Sequence, residues 1–308
     1  MSHEFPDHIR QQVQQWLAAK GAGGREEAQA MSATYKQGEN SSTVSLNAYL
    51  TTRMPATFAA VSAVLDQVLR VMPRALPKSL LDIGAGPGTA SMAAQILWPG
   101  LNSITMIETD KRFADLAKHL SPDAEVVHQP LQNLDRKADV VIAAYVFAEL
   151  PEREAAVTSL KLWAQTSELL IIVEPGTPKG FARIRAAREA LIKSGAHLVG
   201  PCTHANACPM MGTDWCHFKT RLPRSRAHMQ AKSATVPFED ESFSWVAVSR
   251  HAATLPKFRI IAPPVVNKVA ATFKVCGAQG LSQSAIASRD KAAYKLARNM
   301  SWGDGFDV

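Results

Sequence analysis

What is scarce in this 308-residue chain narrows its class first. No apolar run approaches the ~18 residues that a bilayer-spanning helix needs, so a membrane partner is not expected. The opening residues, MSHEFPDHIRQQVQQW, bring acids early and lack the apolar stretch of a secretory signal. They also lack the Arg-rich, acid-poor character of a transit peptide, which makes a reducing cytoplasm the expected compartment. A mitochondrial matrix location would require a transit peptide already removed. Hydrophobic residues at 46% and charged residues at 20% describe a soluble globular chain, long enough for one large or two modest domains.

Cysteine is scarce too, with four in the chain, but its distribution is uneven. Cys202, Cys208 and Cys216 fall inside PCTHANACPMMGTDWCHFKTRLPR, and Cys276 follows about sixty residues on. Pro, Gly, His, Asn and Asp surround the three, so 201–224 reads as an irregular loop in need of a non-apolar anchor. Thiolates converging on a metal are one such anchor. Trp215 and Phe218 could shield it from water. Buried free thiols are the plain alternative, and disulfides suit an oxidising compartment that nothing here indicates. The C-x5-C-x7-C spacing with a remote fourth cysteine matches neither the short knuckles of structural zinc sites nor the ferredoxin runs. Spacing alone leaves the metal undecided.

Charge divides along the chain. Residues 1–175 hold 15 Lys+Arg against 19 Asp+Glu, and residues 176–308 hold 19 against 8, so the second part carries +11 of charge. A basic half on a mildly acidic one suits a polyanion, nucleic acid before membrane. A solvated basic surface is the bland alternative. Candidate phosphate contacts are Arg183, Arg185, Arg188, Lys219, Arg221, Arg224 and Arg226, with Lys291, Lys295 and Arg298 in the tail.

Read for periodicity, residues 1–75 form an N-terminal helical region. Ile9, Val13, Trp16 and Leu17 recur at helical spacing after Asp7 as N-cap, and Gly21 to Gly24 breaks that helix. A second helix runs after Pro55 and stops at Pro73. From 76 to 250 strand and helix alternate as an α/β sheet requires, with seven strands in view and a cysteine-rich insertion at 201–235 before the last. Residues 251–308 read as a small β-rich, basic extension that contributes Cys276 and ends in a helical stretch, AIASRDKAAYKLARNM.

The cofactor signal is Asp82-Ile83-Gly84-Ala85-Gly86-Pro87-Gly88 at the end of the first strand, with Glu108 one strand later. Glycines let the backbone turn sharply and approach a ligand. Gly88 arrives one residue early for a dinucleotide G-x-G-x-x-G turn. The D-x-G-x-G-x-G form looks instead like a class I S-adenosylmethionine (SAM) methyltransferase, an α/β Rossmann-like fold, with Asp82, Gly84, Gly86, Gly88 and Glu108 as cofactor residues. A glycine turn without a cofactor is the plain alternative. No catalytic signature accompanies it. Ala143-Ala144-Tyr145-Val146 stands where D/N-P-P-Y/F or Pro-Cys would mark N-methylation or cytosine C5 chemistry, and Glu149 reads as a helix-entry residue more than a general base.

With both features placed, the chain resembles the family of the mitochondrial small-ribosomal-subunit protein Rsm twenty-two, called methyltransferase-like protein seventeen in animals. The residues carrying this are AYLTTRMPATFAAV, LLDIGAGPGTAS, VEPGTPKGF, GPCTHANACPM, DWCHFKTRLPR, EDESFSWVAVSR and the terminal WGD. The resemblance implies a small-subunit assembly factor or rRNA methyltransferase with the SAM fold, bound to ribosomal RNA and not DNA. It also implies a 4Fe–4S cluster on Cys202, Cys208, Cys216 and Cys276, in preference to zinc. The missing transit peptide implies a bacterial, cytoplasmic member. A factor that grips rRNA without methyl transfer is the competing function.

Overall fold

The computed structural model describes residues 5–21, 24–30 and 44–307. Its centre is an eight-stranded sheet. Strands β1 (Ser79–Ile83), β2 (Ser103–Glu108), β3 (Glu125–His128), β4 (Ala138–Ala144) and β5 (Thr166–Pro175) are parallel, with β1 between β2 and β4. Strand β8 (Phe238–Ser249) runs antiparallel beside β5, and β6 (His197–Gly200) pairs with its far edge. The path β3-β2-β1-β4-β5-β8-β6, with its antiparallel strand next to last, is the class I methyltransferase arrangement. The order reverses beside β1, which opens a crevice at the carboxyl ends of β1 and β4.

Seven strands were expected and eight form, because the insertion is not wholly irregular. Phe218–Pro223 is strand β7, paired with β8 in the register Phe218↔Phe243 to Pro223↔Phe238. Its inward side chains Phe218, Thr220 and Leu222 alternate with exposed Lys219 and Arg221, a period-two pattern that the preceding polar run obscures. Only the earlier part, around Cys202, Cys208 and Cys216, lacks regular structure.

Helix α1 (Asp7–Lys20) begins with Asp7 already helical and Pro6 at the cap, so Asp7 does not cap it with its side chain. After a helical stretch at 25–30, helix α2 (Leu46–Val71) continues through Pro55 instead of starting after it. Pro55 has no N–H for the carbonyl four residues back, and the turn before it, Tyr49–Arg53, widens to a π-helix. By length and composition α2 is apolar enough to cross a bilayer, contrary to the expectation from uninterrupted apolar runs. Met54, Phe58, Val61, Val64, Leu65 and Val68 are instead buried in one cluster with Leu80, Val140, Ile171 and Trp245 of the sheet. Helix α2 is therefore part of the central domain's core, not a region beside it. Helices α3 (Thr89–Leu97) and α4 (Lys111–Leu120) add Ala93, Leu116 and Leu120 to the same cluster. The opposite face is covered by α5 (Ala155–Ala164) and α6 (Pro178–Lys193). A short helix, α7 (Arg226–Lys232), links β7 to β8.

The tail forms a second sheet of five strands, β9 (Phe258–Ile260) to β13 (Gly305–Phe306), around Ile260, Ala271, Phe273, Val275 and Phe306. Strand β11 (Ala270–Gly277) carries Cys276, pairs with the short β10 (Val265–Val266) and forms a hairpin with β12 (Gly280–Ala287). Ala285 to Ala287, expected in a helix, are strand; helix α8 covers only Lys291–Ala297.

Candidate functional site

Beyond β1 the chain turns through Gly84, Gly86 and Gly88 into α3, with φ of +60°, +55° and +86° at the three glycines. Left-handed backbone explains the glycines locally. Their surroundings separate them. A Cβ on Gly84 would lie 2.6 Å from Cγ2 of Val146, and one on Gly88 would lie 2.8 Å from Cε of Met106. Gly86 faces open space, with only the Tyr49 hydroxyl at 3.6 Å from such a carbon. Gly84 and Gly88 permit close packing; Gly86 leaves room for a ligand.

That room is a cavity of about 390 Å³ lined by Gly84, Gly86 and Glu108, by Tyr49, Arg53 and Thr57 of α2, and by Tyr145 and Glu149 after β4. Glu108 is held by the backbone: Oε2 accepts from Gly86 N–H at 2.7 Å, and Oε1 accepts from Thr109 and Asp110 N–H at 2.7 and 2.8 Å. Each oxygen keeps acceptor capacity for a hydroxyl. Asp82 is buried beneath the turn and does not line the cavity. Its Oδ2 accepts from the N–H and hydroxyl of Ser91 at 2.9 and 2.7 Å, tying the first turn of α3 to the strand. Burial pushes its carboxyl up to about 7. The structure thus puts Asp82 and Gly88 in the scaffold and Gly84, Gly86 and Glu108 on the cavity wall.

On the far wall Tyr145 and Glu149 lie after β4 at the pocket mouth, as expected from the sequence, whereas Arg53 and Glu241 were not anticipated. Tyr145 has φ +64°, unusual for a residue with a side chain. Its hydroxyl donates to Glu241 Oε1 at 2.9 Å, and Arg53 Nη2 donates to the same oxygen at 2.8 Å while its guanidinium stacks 4.4 Å from the Tyr145 ring. Burial raises the Tyr145 phenol well above its ordinary pKa, which keeps the proton that this bond uses. Glu149 also faces the cavity, and burial, reinforced by the charges of Glu108 and Asp110, pushes its carboxyl up to about 7. Behind it, Glu174 accepts from Phe147 N–H at 2.8 Å, and burial raises it to about 8. The stretch AYLTTRMPATFAAV contains Tyr49 and Arg53, and a tyrosine and an arginine four apart before a proline were its only local signal.

The second site lies at the other edge of β8. Cys202, Cys208, Cys216 and Cys276 all line one small cavity of about 40 Å³, with Phe181, Met210, Phe218, Trp245 and Ile261 supplying apolar wall. Cys202 packs against the core on one face of the sheet and Cys216 against the other. Ser244 of β8 donates its hydroxyl to the Cys216 carbonyl at 2.8 Å. Trp215 packs against the same apolar cluster and is tethered by its indole N–H to the Gly176 carbonyl at 2.9 Å. Among the described residues no group of three or more His, Cys, Asp or Glu side chains has the arrangement to hold a metal ion. All four thiols are free of disulfides.

Electrostatics at this site is one-sided. Burial raises the Cys208 thiol, lifts Cys216 well above its ordinary value and takes Cys276 to about 12, and neighbouring cysteines add to each. Four thiolates here would need positive charge. Three arginines line the cavity, Arg185 exposed with Nη1 donating to the Met210 carbonyl at 3.5 Å and two others buried. Arg188, 3% exposed, donates Nε–H to Cys202 Sγ at 3.2 Å and Nη2–H to the carbonyls of His204 and Asn206 at 2.7 and 2.8 Å. Arg259, also 3% exposed, donates to the carbonyls of Pro201 and Gly303 and to Gln67 Oε1, each at 2.8 Å.

This corrects one nucleic-acid candidate. Arg188 is buried on the thiols and cannot meet a phosphate. Arg183 turns to the Leu150 carbonyl at 3.0 Å, and Arg224 is half-buried on Glu239 at 3.3 Å. Arg221 is exposed but bidentate on Asp240 at 2.7 and 3.0 Å. Arg185, Lys219, Arg226, Lys291, Lys295 and Arg298 are exposed, the last three together on or beside α8.

A family model described as mitochondrial small ribosomal subunit Rsm22 matches residues 43–307, which takes in both cavities. The chain belongs to this family. The Rsm22-cox11 tandem protein 2, mitochondrial, of Schizosaccharomyces pombe is 27% identical over 322 residues, covering 85% of this chain and 43% of that protein. The human ribosome assembly protein METTL17, mitochondrial, is 25% identical over 299 residues, covering 88% of this chain and 64% of that protein. The chain thus spans about half of the length of these Rsm22 relatives. Among solved structures, magnesium protoporphyrin IX methyltransferase from Synechocystis PCC 6803 with bound SAH has a TM-score of 0.45 at 13% identity, over 72% of this chain and 94% of that one. Precorrin-6y C5,15-methyltransferase from Geobacter metallireducens GS-15 has 0.40 at 13%, over 61% and 85%. Likenesses this distant add nothing to the strand order of this Rsm22 member.

Proposed function

We propose that this Rsm22-family protein binds SAM in the cavity at the glycine turn and acts on the small ribosomal subunit as an assembly factor of methyltransferase fold. The observation that carries the cofactor reading is the pairing of Gly86, open to the cavity, with Glu108, whose oxygens sit at the end of β2 beside it. Glu108 would accept from the ribose hydroxyls, and the glycine turn would take the methionine part. The ribosomal reading rests on family membership and on METTL17, named a ribosome assembly protein. Both relatives are named mitochondrial, so a matrix location is the reading they favour over the bacterial cytoplasm.

The same proposal assigns Cys202, Cys208, Cys216 and Cys276 to a 4Fe–4S cluster, with zinc as the alternative metal. The donor set fits: four thiols share a cavity, their only cationic company is arginine, and Arg259 Nη2 and His204 Nδ1 are buried without a partner. A bound cluster would supply the positive core that lets all four cysteines ionise, joining the tail strand β11 to the insertion. The rRNA contact surface is proposed on the exposed cations Arg185, Lys219, Arg226, Lys291, Lys295 and Arg298.

Titration calorimetry of SAM against the parent and Gly86→Val tests the cofactor. The parent should bind, and the variant should lose at least about tenfold in affinity, since a β-branched side chain at φ +55° would both strain the turn and enter the cavity. Equal affinities remove the cofactor assignment. A second reading, methyl transfer to rRNA, draws on Glu149, a cavity carboxyl poised near 7 that could take a proton. Transfer of labelled methyl from SAM to small-subunit rRNA, lost in Glu149→Gln, would support it; no incorporation leaves the assembly role alone.

A further inference from the structure

Of the three arginines that line the cysteine cavity, Arg185 is exposed and already proposed for rRNA, and the two buried ones have no role in either assigned function. They come from different places, Arg188 from α6 and Arg259 from β9, and converge on the segment that carries Cys202. Among the described residues neither makes an ion pair with a carboxylate, although both are nearly fully buried. A buried guanidinium without a counter-charge is strongly disfavoured. Carbonyl acceptors satisfy most of its hydrogen bonds but do not cancel its charge, and Arg259 Nη2 lacks even an acceptor. The nearby groups able to turn negative are the cysteines: Cys202 touches Arg188, and Cys202 and Cys216 act electrostatically on Arg259. Asp304 also faces Arg259, but its carboxylate is engaged by Arg70 at 3.0 Å.

Chemistry then sets the count. Four thiolates around an oxidised four-iron, four-sulfide core leave the centre doubly negative. The two buried guanidiniums cancel it, whereas the charge of exposed Arg185 is screened by solvent and ions. We infer that Arg188 and Arg259 are paired counter-ions of the four-cysteine centre, which hold it in the protein and set its reduction potential. This rests on the iron–sulfur reading of those cysteines. Arg188 acts on the sulfur of Cys202 directly, through a charge-assisted N–H···S bond. Arg259 acts through space and keeps Nη2 free for a cluster sulfur or thiolate. Outer-shell partners of this kind fix ligands and tune the metal. Because reduction adds a negative charge, removing a nearby positive charge must stabilise the oxidised form and lower the potential.

The test uses full-length protein purified anaerobically as parent, Arg188→Gln, Arg259→Gln, Arg188→Lys and Arg259→Lys. Gln keeps a donor and loses the charge; Lys keeps the charge and loses the fork. Iron and sulfide content, the rate of iron loss to a chelator, and the midpoint potential are read for each. Each Gln variant should fall in reduced-to-oxidised ratio by at least tenfold at fixed potential, about 59 mV for one electron, and give up iron about 10–100-fold faster. Lys should restore most of the potential. Gln variants with the parent's potential overturn the inference, as do Lys variants that behave like Gln, which would leave hydrogen bonding as the whole role. If the Gln proteins are insoluble, the Lys proteins decide, since a potential near the parent's supports charge and one displaced as far as tenfold in ratio opposes it. A parent free of iron fails at the earlier step and overturns the cluster reading itself.

Discussion

The cavity at the glycine turn encloses about 390 Å³ and the cavity at the cysteines about 40 Å³, and the difference follows from how each is assembled. The first is a crevice that the strand order opens automatically at the carboxyl ends of β1 and β4. Its polar groups are backbone amides, a carboxylate tied to them, and the trio Arg53, Tyr145 and Glu241, which satisfy one another. The second is a small apolar gap between the edge of the main sheet and the tail sheet, with charge buried in it and too little chemistry nearby to balance that charge. One strand serves both: β8 places Glu241 at the first site and Ser244 and Val246 at the second. A crevice built by topology stands without its ligand. A gap between two sheets depends on what fills it.

The largest effect should come from cutting the cysteine site. Cys276→Ser should cost most of the bound iron, and the segment around Cys202–Cys216 and the tail beyond Phe258 should become protease-sensitive together, because metal-binding energy is also folding energy. Full metal content with unchanged proteolysis would remove Cys276 from the site and make the two cavities alike. The cofactor side should respond locally. Arg53→Met leaves Glu241 without its cation on a half-buried wall, and breaking a buried pair costs about 3–5 kcal/mol. Denaturant unfolding should register most of that loss while iron content stays at the parent's level. A parallel loss of iron would mean that β8 couples the sites.

A smaller effect separates the sites by pH. Glu174 lies behind the cofactor wall, with a carboxyl at about 8 in the folded protein and an ordinary value of about 4.3 when unfolded. Between those values the folded state holds a proton that the unfolded chain has released. Its contribution is therefore intact below the lower value and declines as pH rises toward 8, by at most about 1.4 kcal/mol per pH unit. Glu174→Gln should flatten that decline; identical parent and variant stability profiles from about pH 5 to 8 would contradict it. The smallest effect on stability is expected at α8, where Lys291, Lys295 and Arg298 are exposed. Replacing all three with Ser should leave unfolding within about 0.5 kcal/mol of the parent. The log–log salt dependence of rRNA binding should become shallower, by at most about one unit for each phosphate no longer neutralised. An unchanged slope would move the RNA surface elsewhere.

Much of this molecule was legible in the chain itself. Strand-forming runs such as SLLDI and ELLIIV, the glycine turn and the acid after β2 are local signals whose geometry needs few distant partners. The clustering of three cysteines likewise pointed to one place in the fold, and Cys276 reaches the same cavity. Strand β7 was hidden because a six-residue alternation follows a run of turn-forming residues, and β12 because small polar residues suit a hairpin only when β11 lies beside it. The roles of Arg188 and Arg259 were invisible for a deeper reason. An arginine on a basic helix, FARIRAAREALIK, reads as solvated charge, and only its position against Cys202 shows that it is buried. Tyr49, Arg53, Tyr145 and Glu241 are likewise far apart in sequence and meet only because α2 packs across the sheet and β8 returns beside β5. Local backbone preference and hydrophobic period are written residue by residue, so the sequence determined the sheet's elements and the turn. Charge burial and side-chain pairing depend on which distant surfaces meet, and the tertiary structure alone decided those.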